Sequence, residues 1–397
     1  MPYDFDQIID RRHTDSVKWS RYDEDVLSLW IADTDFAVPP PVLRAVRERV
    51  AHPIFGYGQP PEELREVIQE RLARLYRWRV ELDDILFLPG VVCGFNLACR
   101  AFAAPGGQVL VEPPVYPPML SAARNAGCGR KLVPLVEGRE RYEHDLDRFE
   151  EAVAKHADDG CPVSLFLLCN PHNPVGRVFE AAELERLAEI CLRHDVVICS
   201  DEIHCDFVYA GHDHVPIASL SPEVGARTIT LFAPSKTYSI AGLRCSIGVI
   251  QNPDLRARML EQTGAGLIPG VNVLGYVAAL AAYREAQPWL DELLVYLETN
   301  RDYVLEYVEA YLPGVRCKRP EGTFLAWLDC REAGIPGDPH RFFLDRARVA
   351  LNDGSAFGPK GGAVPSVQDF VRLNFGCPRA ILTQALERMR IALEELS

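Results

Sequence analysis

The sequence of 397 residues has no long apolar run, no surplus of basic residues and no paired cysteines, and each lack removes a class of function. No stretch approaches the roughly 18 apolar residues that a membrane-spanning helix requires. The formal net charge of −14 argues against a surface for nucleic acid or anionic lipid, which needs a basic patch. The opening residues Met1-Pro2-Tyr3-Asp4-Phe5-Asp6 carry neither the basic nor the apolar region of a secretory signal. The twelve cysteines are scattered singly, with no CxxC pair and no Cys/His group at zinc-finger spacing. Several of them (Cys169, Cys199, Cys245) sit inside apolar runs, where a reduced thiol behaves as a small hydrophobe. His204, His212 and His214 lack partners at ligand spacing, so no metal is expected. No internal repeat or low-complexity tract stands out. The expectation is a cytoplasmic protein.

What is present is a globular balance: 48% hydrophobic and 25% charged residues, in a chain long enough for two or three domain-sized units. Short apolar runs recur at Ile85–Leu88, Gln108–Val111, Val163–Cys169, Val196–Cys199, Thr228–Phe232 and Cys245–Ile250. Their near-continuous apolar character suits strands buried on both faces of a mainly parallel sheet. Helix-like stretches alternate with them. One begins at Pro61-Glu62-Glu63, with Leu64, Val67, Ile68, Leu72 and Leu75 tracing its apolar stripe. Such alternation implies an α/β fold with helices on both faces of the sheet. After about residue 281, amphipathic helices are predicted over Trp289–Tyr311, Asp338–Val349 and Pro378–Leu396, with strands near Phe324–Leu328 and Val371–Phe375. The expected division is a large domain over 46–280 and a smaller α+β domain over 281–397, joined by an N-terminal arm over 1–45.

In an open α/β sheet, ligands bind beyond the carboxyl ends of the strands. The residues just past each run form a coherent set. Pro89-Gly90-Val91-Val92-Cys93-Gly94 reads as a turn into a helix whose free N–H groups could hold a phosphate. The next tips carry Tyr116, then Asn170-Pro171-His172-Asn173-Pro174, then Asp201-Glu202-Ile203-His204, then Ala233-Pro234-Ser235-Lys236. An aromatic, an amide, a carboxylate, an imidazole, a lysine and an anion cradle thus collect at one sheet edge.

This set resembles the fold-type I pyridoxal-phosphate enzymes of the aminotransferase class I/II family, over almost the whole chain. The resemblance is closest to the cystathionine β-lyase, or C–S lyase, branch. Pointers to that branch are Trp30-Ile31-Ala32-Asp33-Thr34-Asp35-Phe36, His52-Pro53-Ile54-Phe55-Gly56-Tyr57-Gly58, Asp201-Glu202-Ile203-His204, Gly211-His212-Asp213-His214, Tyr296 to Asp302, and Phe370 to Arg379. The implied cofactor is pyridoxal 5′-phosphate.

The resemblance implies a role for each residue. Lys236 would hold the cofactor as a Schiff base and then remove the substrate's Cα proton. Asp201 would pair with the pyridinium nitrogen; a helix cap at a strand–helix turn is its plainer reading. Asn173 would donate to the phenolic oxygen of the cofactor, with His204 nearby where aminotransferases usually carry tyrosine. Tyr116 would stack on the ring, or serve only as a core residue. Val92, Cys93, Ser235 and Arg244 would anchor the phosphate. Many relatives have a serine three residues before the lysine; Ala233 stands there. Tyr57 would reach the phosphate of a neighbouring subunit, making the protein a homodimer, although Gly56 and Gly58 also suit an ordinary turn. Arg372 would grip the substrate α-carboxylate, a pairing that lysine cannot reproduce, and backbone near Ala32 would face the substrate.

For activity, the branch resemblance implies β-elimination from L-cystathionine or another S-substituted L-cysteine, giving pyruvate, ammonia and a thiol. Transamination of an L-amino acid is the alternative, because Lys236 serves both, and Arg244 and Ala233 are small marks on that side. Some members of the family regulate transcription through protein contacts, and that secondary role stays open. A scaffold without cofactor is opposed by the joint presence of Lys236, Asp201, Asn173 and Arg372.

Overall fold

A computed structural model of the chain describes residues 3–103, 106–154, 161–264, 268–359 and 366–396. The apolar runs form a seven-stranded sheet in the order Ile85–Leu88, Ser246–Val249, Thr228–Phe232, Val197–Asp201, Val163–Cys169, Gln108–Val111, Gly129–Leu132. Ser246–Val249 is antiparallel to both of its neighbours, and the remaining pairs are parallel. Successive side chains of a strand point to opposite faces, so a strand covered on both faces must be apolar throughout. That is the case here. Leu165, Leu167, Val197 and Cys199 pack with Phe95 and Ala98 of the helix Val91–Phe102. Phe166, Leu168 and Ile198 pack on the other side with Phe149, Leu184 and Leu187 of the helices Leu146–Ala154 and Ala181–Arg193. Gly94 lets the first of these helices lie close on the sheet, since a Cβ there would stand 2.9 Å from Leu231.

A second, antiparallel sheet has the order Arg316–Cys317, Leu325–Asp329, Phe370–Asn374, Asn352–Asp353. The N-terminal segment joins it indirectly: Leu27–Ser28 pairs in parallel with Val349–Ala350. Phe5 and Phe36 share a core with Trp289 and Tyr296 of the helix Gln287–Tyr311 and with Leu382 and Leu386 of the helix Arg379–Glu394. Among the described residues, no helix is long and apolar enough to cross a membrane.

Several element bounds differ from the sequence-based expectation by a residue or two, and three differences matter more. The helix predicted over Asp338–Val349 spans Pro339–Asp345, because Arg348 takes φ +54° and Val349 opens the strand that pairs with Leu27. The strand that begins near Val196 runs on to Asp201, so the carboxylate is part of it. The edge strand Gly129–Leu132 has no apolar run to announce it, its first two residues being exposed.

Candidate active site

A cavity of about 370 Å³ lies between the carboxyl edge of the large sheet, the segment Trp30–Ala32 and the small sheet. Lys236 projects from the short helical turn Pro234–Thr237 that follows the strand Thr228–Phe232. Its Nζ donates to the Ala32 backbone oxygen. Burial lowers the Lys236 pKa from its ordinary value; Asp33 and Asp201 act to raise it, Arg372 and Lys18 to lower it. The turn is fixed from behind. Thr237 donates to Asp206 Oδ2 at 2.8 Å, and Arg71 donates to Asp206 Oδ1.

Asp201 ends the central strand and is buried. Burial pushes its carboxyl up to about 7; the Ile203 N–H, at 3.1 Å, and Lys236 oppose the rise, and Glu202 adds to it. The Gly211–His214 motif meets this strand end: His214 Nε2 lies 2.9 Å from Glu202 Oε2, and Ser200 donates to Glu202 Oε1. His204 is held neutral, its pKa driven down to about 3 by burial first and by Lys236 and Arg372 next. Its buried Nδ1 has no hydrogen-bond partner among the described residues. Tyr116 leads into the helix Pro117–Ala126, and burial raises its phenol pKa, with Asp201 adding to the rise.

Arg372 stands in the middle of the strand Phe370–Asn374 and is buried. It donates to Asn173 Oδ1 and to the Trp30 backbone oxygen, each at 2.8 Å, and its guanidinium lies 5.0 Å from the Phe357 ring centre. No carboxylate comes within ion-pair range among the described residues, and Nε is buried without a partner. Burial therefore lowers its pKa to about 10. Two strand positions on, Asn374 donates to the Ile31 and Asp33 backbone oxygens at 2.7 and 2.8 Å. Thr34 Oγ1 lies 2.7 Å from Ser239 Oγ. The segment 30–34 is thus strapped between the small sheet and the lysine turn.

The anion cradle lies at the start of the helix Val91–Phe102, which has Gly90 at its N-cap and no acidic side chain in its first turn. Free N–H groups and the helix dipole favour an anion there. Val92, Ser235 and Arg244 all line the cavity beside it. Because Ser246–Val249 runs antiparallel, the residues leading into it, Arg244 and Cys245, stand at the same edge as the carboxyl ends of its neighbours.

The cavity brings together Lys236, Asp201, Asn173, His204, Tyr116, Val92, Ser235, Arg244, Arg372 and Ala32. Two expected residues stand apart. Cys93 is not on its wall; it packs partly against the core beneath the helix, because the first helical turn points only some of its residues at the cradle. Tyr57 is fully exposed and does not reach the cavity of its own chain. Sequence reasoning missed Asn352 as a wall residue. A two-residue strand leaves no periodicity to find, and its register to Arg372 is set only by the assembled sheet.

The chain is similar to known proteins over almost its whole length. The family model for aminotransferase class I and II matches residues 24–389. Cystathionine beta-lyase PatB of Bacillus subtilis is 38% identical, over 98% of this chain and 99% of its own. The solved structure of OvoB is 44% identical with a TM-score of 0.90, covering 98% of this chain and 99% of its own. Cystalysin of Treponema denticola, a structure containing pyridoxal 5′-phosphate, is 30% identical with a TM-score of 0.93 over the full length of both chains.

Proposed function

The chain belongs to the aminotransferase class I and II family, and from that premise we propose that it is a pyridoxal-phosphate-dependent carbon–sulfur lyase. It splits L-cystathionine or another S-substituted L-cysteine, with water, into pyruvate, ammonia and a thiol. The similarity to a named cystathionine β-lyase over nearly the full length of both chains supports elimination over transamination.

The observation that carries a substrate with an α-carboxylate is Arg372, a buried guanidinium with no acid beside it among the described residues. A desolvated cation in that state recruits an anion, and its remaining N–H directions suit a planar carboxylate. The residues present also suit the cofactor. A buried carboxyl of raised pKa, a neutral imidazole with a free nitrogen, a buried amine and an anion cradle face one cavity. When bound, the cofactor supplies an electron sink for the bond-breaking at Cα.

The chain's own groups do the rest. Asp201 would hold the charge of the ring nitrogen, and Asn173 and His204 would serve its phenolic oxygen. Tyr116 would cover the ring, while Val92, Ser235 and Arg244 would hold the phosphate. Arg372 fixes the α-carboxylate and so turns the Cα–H toward Lys236. Lys236 Nζ, its pKa lowered by burial, takes that proton. The Cβ–S bond then breaks with its electron pair leaving on sulfur as the thiolate.

A cytoplasmic homodimer completes the proposal. Tyr57, exposed beside the exposed Ile54 and Phe55, would serve a second copy, and its exposure supports that reading. The large domain is 46–280 and the small one 281–397, with 1–45 forming an arm that contributes to the small domain.

The deciding experiment is incubation with L-cystathionine in the absence of any keto acid. Release of pyruvate, ammonia and thiol is expected. Turnover that depends on an added keto acid would establish transamination instead. The purified protein should be yellow, and Lys236→Ala should lose the borohydride-reducible absorbance along with at least about 10³-fold in activity.

A further inference from the structure

We propose that Asn352 is a specificity-determining residue, selecting substrates whose sulfur substituent carries a hydrogen-bonding group. The inference rests on the lyase reading and deepens it. Asn352 lines the cavity and is paired, Cα to Cα, with Arg372 in antiparallel register. Residues directly opposite in such a pair rise from the same face of the sheet, with Cβ atoms about 4.5–5.5 Å apart. On the other flank of Arg372 stands Trp327. Its ring is packed against Phe357 and Phe370 at centroid distances of 5.2 Å, so that side is a closed aromatic wall. The arginine therefore has one shut neighbour and one amide on the cavity wall.

That amide is uncommitted. Arg372 and Asn173 are bonded to each other, and Asn374 to the strap. Asn352 has no side-chain partner among the described residues, and it is half-buried. An amide offers two donors and an acceptor. The same cavity lining also offers apolar side chains, Trp30 and Ile31 among them. A substrate whose α-carboxylate sits on Arg372 has Cα and Cβ beside that guanidinium, so its sulfur substituent starts within reach of the next residue across the sheet. A plain alkyl substituent needs only those apolar side chains. One ending in a carboxylate, ammonium or amide loses hydration on entry and needs a polar partner there. Asn352 is that partner, and being neutral it serves either charge.

The test compares L-cystathionine with S-methyl-L-cysteine. For Asn352→Ala and the volume-keeping Asn352→Leu, the ratio of the two kcat/KM values should fall about tenfold against cystathionine, the effect of one lost hydrogen bond. The fall should lie mainly in KM, and Asn352→Gln should restore part of it. The same ratio should appear in calorimetric Kd values measured on Lys236→Ala protein reconstituted with cofactor, where no turnover is needed. Ratios within twofold of wild type in both measurements would overturn the assignment. Absence of pyruvate from the wild-type enzyme would instead sink the lyase reading, while the Kd ratio would still decide the role of Asn352.

Discussion

Arg372 donates to Asn173 Oδ1 across 2.8 Å, tying the small sheet to the loop that follows the strand Val163–Cys169 of the large one. The two residues are 199 positions apart in the chain. Each is expected to meet a different ligand group, Arg372 the substrate carboxylate and Asn173 the cofactor's phenolic oxygen. Their bond fixes those two recognition points relative to each other. On that reading, one contact between the sheets would set the substrate against the cofactor.

Arg372→Lys should raise KM for amino-acid substrates about 10²-fold with a smaller fall in kcat. An ammonium cannot hold the Asn173 amide, the Trp30 carbonyl and a bidentate carboxylate together, and charge-assisted hydrogen bonds are worth about 1.5–3 kcal/mol each. Steady-state kinetics on the purified variant checks this. An unchanged KM would remove Arg372 from carboxylate binding.

The pH dependence of stability in the cofactor-free protein has two opposing parts. Asp201 has its pKa raised from 3.8 to about 7, so the folded state holds more protons than the unfolded one between those values. Its contribution falls as pH rises through that window. His204 has its pKa lowered from 6.5 to about 3, so the unfolded state binds more protons there, and its contribution is lost as pH falls. Thermal melts at pH 4 to 7 should show Asp201→Asn gaining on wild type as pH rises. His204→Asn should gain on wild type as pH falls. Parallel curves for all three proteins would contradict both assignments.

Behind the lysine turn, Arg71 and Asp206 form a buried ion pair, with Thr237 on the second carboxylate oxygen and Gln287 on the arginine. Removing one partner of such a pair strands a buried charge and costs about 3–5 kcal/mol. Asp206→Ala should therefore lower stability by that amount in chemical denaturation. Arg71→Met combined with Asp206→Leu should recover most of it. Because Thr237 adjoins Lys236, the single variant should also weaken cofactor retention, and equilibrium dialysis would detect it.

Much of this site was legible because buried parallel strands announce themselves as continuous apolar runs. The chemistry then falls on the residues just beyond them. Asp201, Asn173 and Lys236 were found that way, and Tyr116, His204, Ser235 and Val92 came with them. Arg372 came from the resemblance alone, since a strand of five residues with an arginine at its centre carries no local sign of a substrate site. Asn352 lacked even that. The support around the site was equally hidden: Asn300, quoted only as part of a motif, donates to the Phe375 and Cys377 carbonyls and accepts from Arg379. Such bonds join positions about 80 apart, and nothing in either segment fixes the partner until the helices dock.

Tyr57 supplies the sharpest test of the assembly. It is fully exposed, stands among the exposed Ile54 and Phe55, and touches no part of its own cavity. If each site takes Lys236 from one chain and Tyr57 from the other, two inactive variants carry complementary halves. In a mixed dimer of Tyr57→Phe and Lys236→Ala chains, one site has both native residues and the other has neither. Random mixing at equal concentrations makes half the dimers mixed, so activity should recover to about one quarter of wild type per site. The recovered activity should track the mixed-dimer fraction measured by native mass spectrometry. Mixed dimers that form without any recovery would show that Tyr57 does not serve the neighbouring site.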